Sequence, residues 1–211
     1  VASSAGAKVA KHGGRSVSSK CGSADVLEAL GVNVNLNHKN LGDLVDAIGI
    51  GFMFAPNYHP AMKFVAPVRK ELEVRTIFNL LGPLTNPASA KKQIIGVYSK
   101  ELTLTFAKVL KELGSDHVLV VHGEDGMDEI SITGNTYVAE LKNNTITEYI
   151  INPEMFDLER GILESIVVKD SSQSKKIILD ILKGKSSTGR DIILLNAGAA
   201  LYISGLAEDI K

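Results

Sequence analysis

The chain has 211 residues, with 23 Lys and Arg against 24 Asp and Glu and a formal charge of −1. Hydrophobic residues make up 45% and charged residues 22%, which excludes a disordered chain and provides for a real core. The near-neutral charge argues against a nucleic-acid platform, which carries a basic excess.

No apolar run reaches the ~18 residues of a membrane span. The nearest, Ile192 to Ala207, is broken by Asn196, Ser204 and two glycines. The single cysteine, Cys21, cannot form an internal disulfide, so a soluble protein of the reducing cytoplasm is expected. The chain opens on Val1 without an initiator Met or a targeting pattern and closes on Lys211 within a helical pattern. Both ends are therefore open as cut points of a longer chain.

In chain order, Lys8 to Lys11 predicts a short strand entering a small-residue loop, Gly13 to Gly22. A helix follows, with Ser23 as N-cap and Gly31 as its stop. Asn40 to Ile48 predicts an amphipathic helix with Leu41, Leu44, Val45 and Ile48 on one face. Gly51 to Ala55 is short and apolar, and His59 to Leu72 reads as one helix with Pro60 near its first turn.

From Lys92 strands and helices alternate. Strands are expected at 93–98 and 117–121 and a helix at 101–113, with Leu102, Phe106, Val109 and Leu110 inward. Residues 136–141 and 145–151 predict a hairpin across Lys142-Asn143-Asn144. Two helices are expected at 174–183 and 189–203. This order predicts an α/β fold with a mostly parallel central sheet flanked by helices. There is no repeat, low-complexity tract or linker-like break.

Three stretches could carry chemistry. Lys11 to Ser23 holds Lys11, Arg15 and Lys20 among three glycines and four serines, between a strand and a helix start. Alone, a Gly/Ser loop reads equally as a solvated turn. The three cations tilt it toward an anion, and phosphate fits best. No Gly-Lys-Ser/Thr closes it, so it is not a Walker loop.

Gly123 to Glu129 places Glu124, Asp125, Asp128 and Glu129 within six residues after a strand. By itself this reads as an acidic surface loop; beside a phosphate loop it suits Mg²⁺, which is held by one or two carboxylates plus phosphates. Asn57 to Lys63 leads into Arg69 and Arg75. His59 has no Ser-His-Asp or Cys-His arrangement around it, and a capping or core histidine is its plain alternative. Cys21 reads as a small loop residue, and His38, His117 and His122 have no ligand spacing.

Four stretches resemble, in order and spacing, the motifs of the anthranilate phosphoribosyltransferase family. They are Lys11 to Gly31 (KHGGRSVSSKCGSADVLEALG), Phe54 to Lys63 (FAPNYHPAMK), Val68 to Pro87 (VRKELEVRTIFNLLGPLTNP) and Gly123 to Ser131 (GEDGMDEIS). The resemblance implies a nucleoside phosphorylase/phosphoribosyltransferase-like α/β domain over residues 1–211. Residues 60–85 would pack as the remnant of a helical domain.

It also implies the reaction: anthranilate takes the phosphoribosyl group of phosphoribosyl pyrophosphate (PRPP), with Mg²⁺, in cytoplasmic tryptophan biosynthesis. The implied PRPP contacts are Lys11, His12, Gly13, Gly14, Arg15, Ser16, Val17, Ser18, Ser19 and Ser23. The implied anthranilate pocket is His12, Gly14, His59 and Arg69, and the implied metal ligands are Asp128 and Glu129. No residue is implied as catalyst, and the implied partners are the two substrates, not nucleic acid or membrane; the family is homodimeric, and the oligomeric state of this chain stays open.

Where this chain has Gly14 the family has Asn. The family's N-terminal helical region and Gly-Thr-Gly-Gly-Asp loop are expected before Val1, and its last helices after Lys211. A pyrimidine nucleoside phosphorylase, or a non-catalytic nucleic-acid-binding relative of the same fold, is the alternative.

Overall fold

The computed structural model describes residues 1–15, 21–72 and 76–211, and within 62–72 it leaves out the side chains of Ala66, Arg69, Lys70 and Leu72. The chain divides into two compact units. One comprises Lys8–Ser89 and Val168–Lys176, the other Val1–Ala7, Ala90–Val167 and Ile177–Lys211.

In the first unit, strand β1 (Val9–Gly13) and strand β2 (Ile50–Phe54) pair in parallel, from Val9 opposite Ile50 to Gly13 opposite Phe54. Between them run helices α1 (Ser23–Ala29) and α2 (His38–Ile48). The Asn37 side chain accepts from the Asn40 amide at 2.9 Å, so α2 starts two residues before the predicted boundary. A small core joins Ala24, Val34 and Phe54, with Leu27 and Phe52 against it. The Lys175 ammonium bonds the carbonyl of Ala29 at 2.7 Å, a cation at the C-terminal end of α1.

The helix expected over 59–72 starts later, at Met62, and a separate helical turn precedes it. β2 runs directly into one helical turn, α3 (Ala55–Tyr58), which stops at His59, and α4 (Met62–Leu72) begins afresh. Pro60 has no amide hydrogen, so a continuous ladder cannot pass through it. Helix α5 (Ile77–Leu84) was not anticipated, because Gly82 and Pro83 in its last turn look like loop in sequence. Its start is held by the Asn79 side chain, which accepts from the Thr76 amide at 2.8 Å.

In the second unit, β3 (Lys92–Gly96) pairs in parallel with β4 (His117–Gly123) across helix α6 (Glu101–Glu112). β4 then pairs antiparallel with β5 (Thr136–Lys142), and β5 with β6 (Thr145–Ile151). The hairpin forms where predicted, and Asn143 and Asn144 turn it with φ of 50° and 61°. Among the described residues parallel pairing is found in β1–β2 and β3–β4, and the two-residue turn at Asn143-Asn144 makes β5–β6 antiparallel.

Helices α7 (Ser171–Leu182) and α8 (Thr188–Ser204) follow. The Ser187 side chain caps α8 by accepting from the Arg190 amide at 3.2 Å. The main core sets Ile192, Leu195, Ala199 and Ile203 of α8 on Leu119, Val121, Val138 and Ile151 of the sheet. The alternate β4 residues Val118 and Val120 are fully buried on the other face, where α6 packs. Among the described residues no helix is long and apolar enough to cross a membrane.

Candidate functional site

β1 carries Lys11, His12 and Gly13 to its end, with Gly14 and Arg15 just beyond. Lys11 is exposed. The Gly14 carbonyl accepts from the Ala24 amide at 3.2 Å, which ties the strand end to α1. A Cβ on Gly13 would stand 3.3 Å from the Phe52 ring, whereas a Cβ on Gly14 would meet nothing within 4 Å. Ser16, Val17, Ser18 and Ser19, expected on PRPP, and Lys20 lie outside the described residues, as does Arg75.

Ser23 is the first helical residue of α1 rather than its cap. Gly22 takes the cap position, because the Asp25 carboxylate reaches back to the Gly22 amide at 2.8 Å. Arg15, also expected on PRPP, grips Glu28 of α1 through both terminal nitrogens, at 2.5 and 2.8 Å. It also reaches Asp25 at 3.3 Å and lies 5.5 Å from the Phe54 ring centroid. Its guanidinium is held further above its usual pKa by Glu28 and, secondarily, by Asp25.

The parallel register brings His12 and His59 together. Their Nε2 atoms are 3.2 Å apart, with the rings edge to face at 5.0 Å between centroids. Burial first, and then His59, lower the His12 pKa, while a hydrogen bond to the Gly82 backbone opposes them. Across the 3.2 Å contact one ring nitrogen donates and the other accepts, the roles set by the tautomers of the pair. Two of the four expected anthranilate residues therefore touch, and Gly14 is two residues along the chain from His12. Arg69 lies on α4, and its side chain is outside the described residues.

The acidic stretch follows β4. Asp125 is not turned outward: it accepts from Ser131 Oγ at 2.5 Å, from the Met127 amide at 3.0 Å and from Thr133 Oγ1. Burial alone would raise its pKa, but these donors hold the carboxyl below its usual range. Glu124 accepts from the Asn135 amide at 3.4 Å. Asp128 and Glu129, the expected metal ligands, have exposed side chains next to one another in sequence.

Among the described residues no group of three or more His, Cys, Asp or Glu could hold an ion. A pair of exposed carboxylates on an internally braced loop is nevertheless the donor set that suits Mg²⁺, which keeps waters and takes further oxygens from phosphates. Sequence reasoning counted Asp125 with the other carboxylates. Its internal role was signalled only by the hydroxyl-bearing Ser131 and Thr133 six and eight residues on.

Two histidines given no role are structural. His117 bonds Glu140 at 2.7 Å, and His122 Nδ1 bonds the Val97 carbonyl at 2.8 Å.

The family model described as "Glycosyl transferase family, a/b domain" matches residues 1–211. An anthranilate phosphoribosyltransferase of Methylobacillus flagellatus is 58% identical over 211 residues, covering 100% of this chain and 62% of that protein. The crystal structure of the Thermus thermophilus anthranilate phosphoribosyltransferase superposes with a TM-score of 0.92 at 42% identity, over 99% of this chain and 62% of that one. The Saccharomyces cerevisiae enzyme in complex with PRPP and Mg matches with a TM-score of 0.88 at 30% identity, over 100% of this chain and 60% of that one. The chain thus spans somewhat less than two thirds of the length of each of these relatives. With its whole length matched by the family model, the chain belongs to the glycosyl transferase family, as its a/b domain.

Proposed function

We propose that this chain is the α/β part of an anthranilate phosphoribosyltransferase of cytoplasmic tryptophan biosynthesis. The reaction moves the phosphoribosyl group of PRPP to anthranilate, giving N-(5-phosphoribosyl)anthranilate and pyrophosphate. The observation that carries this reading is similarity along the whole chain to relatives bearing that name, 58% identical in the M. flagellatus case. Those names favour it over a nucleoside phosphorylase or a nucleic-acid-binding relative.

In the reaction the bond from the anomeric carbon to pyrophosphate breaks, a bond to the amine nitrogen forms, and the amine loses a proton. An aromatic amine carries its own lone pair, so no strong base is required. The protein's work is positioning and the stabilisation of charge on the departing pyrophosphate.

Lys11, His12, Gly13, Gly14 and Arg15, with Ser16, Val17, Ser18, Ser19 and Ser23, bind PRPP on this reading. The exposed Lys11 and the open space beside Gly14 support it. Engaging a phosphate through Arg15 requires that its guanidinium leave Glu28. His12, Gly14, His59 and Arg69 line the anthranilate pocket, and the His12–His59 contact supports a shared site for those two. Asp128 and Glu129 hold Mg²⁺, which when bound neutralises diphosphate charge. Residues 60–85 pack as part of a helical domain; the exposed Phe64 and Val68 of α4 and Ile77 and Leu81 of α5, each pair one helical turn apart, support that.

Calorimetry tests the reading. PRPP with Mg²⁺, and then anthranilate, should bind the chain, and Lys11→Ala should weaken PRPP by about 1–3 kcal/mol through loss of a charge-assisted bond. Binding of uridine or an oligonucleotide in place of anthranilate would overturn it.

A further inference from the structure

Helix α8 is apolar toward the sheet, and Asn196 interrupts it beside the core residue Leu195. Its amide is fully engaged. Oδ1 accepts from the Ile130 backbone amide at 3.1 Å, and Nδ2 donates to the Ile130 carbonyl at 2.9 Å. Nδ2 also donates to the carbonyl of Ile192, one turn back in the same helix, at 3.0 Å. For one residue Asn196 therefore does what a neighbouring strand would do, and its own helix holds its rotamer. Core packing alone would be served by an aliphatic side chain, without the cost of partly burying an amide.

Ile130 is the residue after Glu129, and the backbone around the acidic pair is tethered on both sides. The Met127 carbonyl accepts from the Gly123 amide at 2.8 Å, and the Ser131 amide donates to Thr136 Oγ1 at 2.9 Å. Asp128 lies against Gly96 of β3. What projects from this tethered backbone is the pair of exposed carboxylates, Asp128 and Glu129.

We infer that Asn196 is a positioning residue for a divalent cation. By holding both polar groups of the Ile130 backbone, it sets where the Asp128 and Glu129 carboxylates stand. The inference rests on the metal reading above. A small cation with short, near-octahedral bonds tolerates little spread in its ligands, and groups that orient ligands govern affinity strongly.

The test compares the chain with Asn196→Leu, Asn196→Asp, Asp128→Asn and Ile203→Ala. Ile203 is in the α8 core and makes neither of the side-chain hydrogen bonds to the Ile130 backbone, so its truncation destabilises the helix while leaving those two bonds in place. Each is titrated with Mg²⁺ in the presence of PRPP, melted thermally, and followed by hydrogen exchange at the Ile130 amide. Asn196→Leu should weaken Mg²⁺ binding by about 10–100-fold and deprotect the Ile130 amide, both beyond Ile203→Ala at a similar loss of stability. Asn196→Asp keeps the acceptor for the Ile130 amide but loses the donor, and should weaken Mg²⁺ binding less while leaving that amide protected. It decides the matter if Asn196→Leu does not fold. The inference alone is overturned if the parent binds Mg²⁺, Asp128→Asn abolishes binding, and the Asn196 variants bind like the parent or fall only as far as Ile203→Ala. No Mg²⁺ binding by the parent removes the metal reading and this inference together.

Discussion

Gly96 at the end of β3 and Asp128 in the acidic loop touch backbone to backbone. A Cβ built on Gly96 would overlap the carbonyl carbon and oxygen of Asp128 and come within 3.1 Å of its Cα. No side-chain rotamer relieves that overlap, because both partners are main chain. β3 thus bears directly on the residue that would carry a metal ligand.

Gly96→Ala should therefore displace the acidic loop and cost about 1–3 kcal/mol, the range for overpacking a close contact. Urea denaturation measures it. A loss under about 0.5 kcal/mol would show that the loop yields freely and that the contact does not hold it.

A second expectation concerns acid. Glu140 accepts from His117 at 2.7 Å, from Tyr202 at 2.7 Å and from Tyr149 at 2.8 Å. Burial alone would raise its pKa, but these donors win and hold the carboxyl below its usual range. Burial and Glu140 together push the Tyr149 hydroxyl upward. With the folded pKa depressed, the stabilisation is full above the unfolded value of about 4.3. It is lost as pH falls through the lower folded value. Glu140→Gln should flatten that acid limb and cost about 1–3 kcal/mol at neutral pH through poorly matched buried donors. Parallel stability-versus-pH curves for parent and variant would contradict this.

The histidine pair makes a third. Burial first, and then His59, lower the pKa of His12. Its contribution is full above the unfolded pKa of about 6.5, and is lost as pH falls through the depressed folded value. Replacing the partner, His59→Gln, should move the His12 pKa back up toward that ordinary value, read from its ring protons by NMR titration. An unmoved titration would mean that the 3.2 Å contact carries no electrostatic weight.

Gly14 makes a fourth. Nothing lies within 4 Å of a Cβ placed there, and its backbone is not in the left-handed region. Gly14→Asn, which restores the residue seen in the resembling family, should leave stability within about 0.5 kcal/mol and tighten anthranilate binding in calorimetry. A variant that unfolds, or binds anthranilate more weakly, would show that the open space is needed as glycine.

Much of the fold is legible locally. The five successive buried residues His117 to Val121 announce β4 as a central strand, the period of Leu41, Leu44, Val45 and Ile48 announces α2, and Asn143-Asn144 announces the hairpin. Each depends on residues within one turn or one strand of each other, which hydrophobic period and turn chemistry report directly. Of the three motifs, only the loop after Lys11 pointed to a ligand by residue type; the acidic stretch by itself read as a surface loop and His59 as a capping or core residue, and their implied roles came from the family resemblance.

The meeting of side chains was not. His12 and His59 are 47 residues apart, and their contact follows from the parallel register of β1 and β2. Asn196 and Ile130 are 66 residues apart, and their pairing follows from the docking of α8 beside the end of β4. In sequence Asn196 was only an interruption in an apolar run, Arg15 only another cation for phosphate, and Asp125 only one carboxylate of four. Their partners are chosen by strand register and helix docking, which settle the long-range desolvation and pairing of polar groups. A local pattern shows which residues can bond or titrate; the packed chain selects which of them face each other.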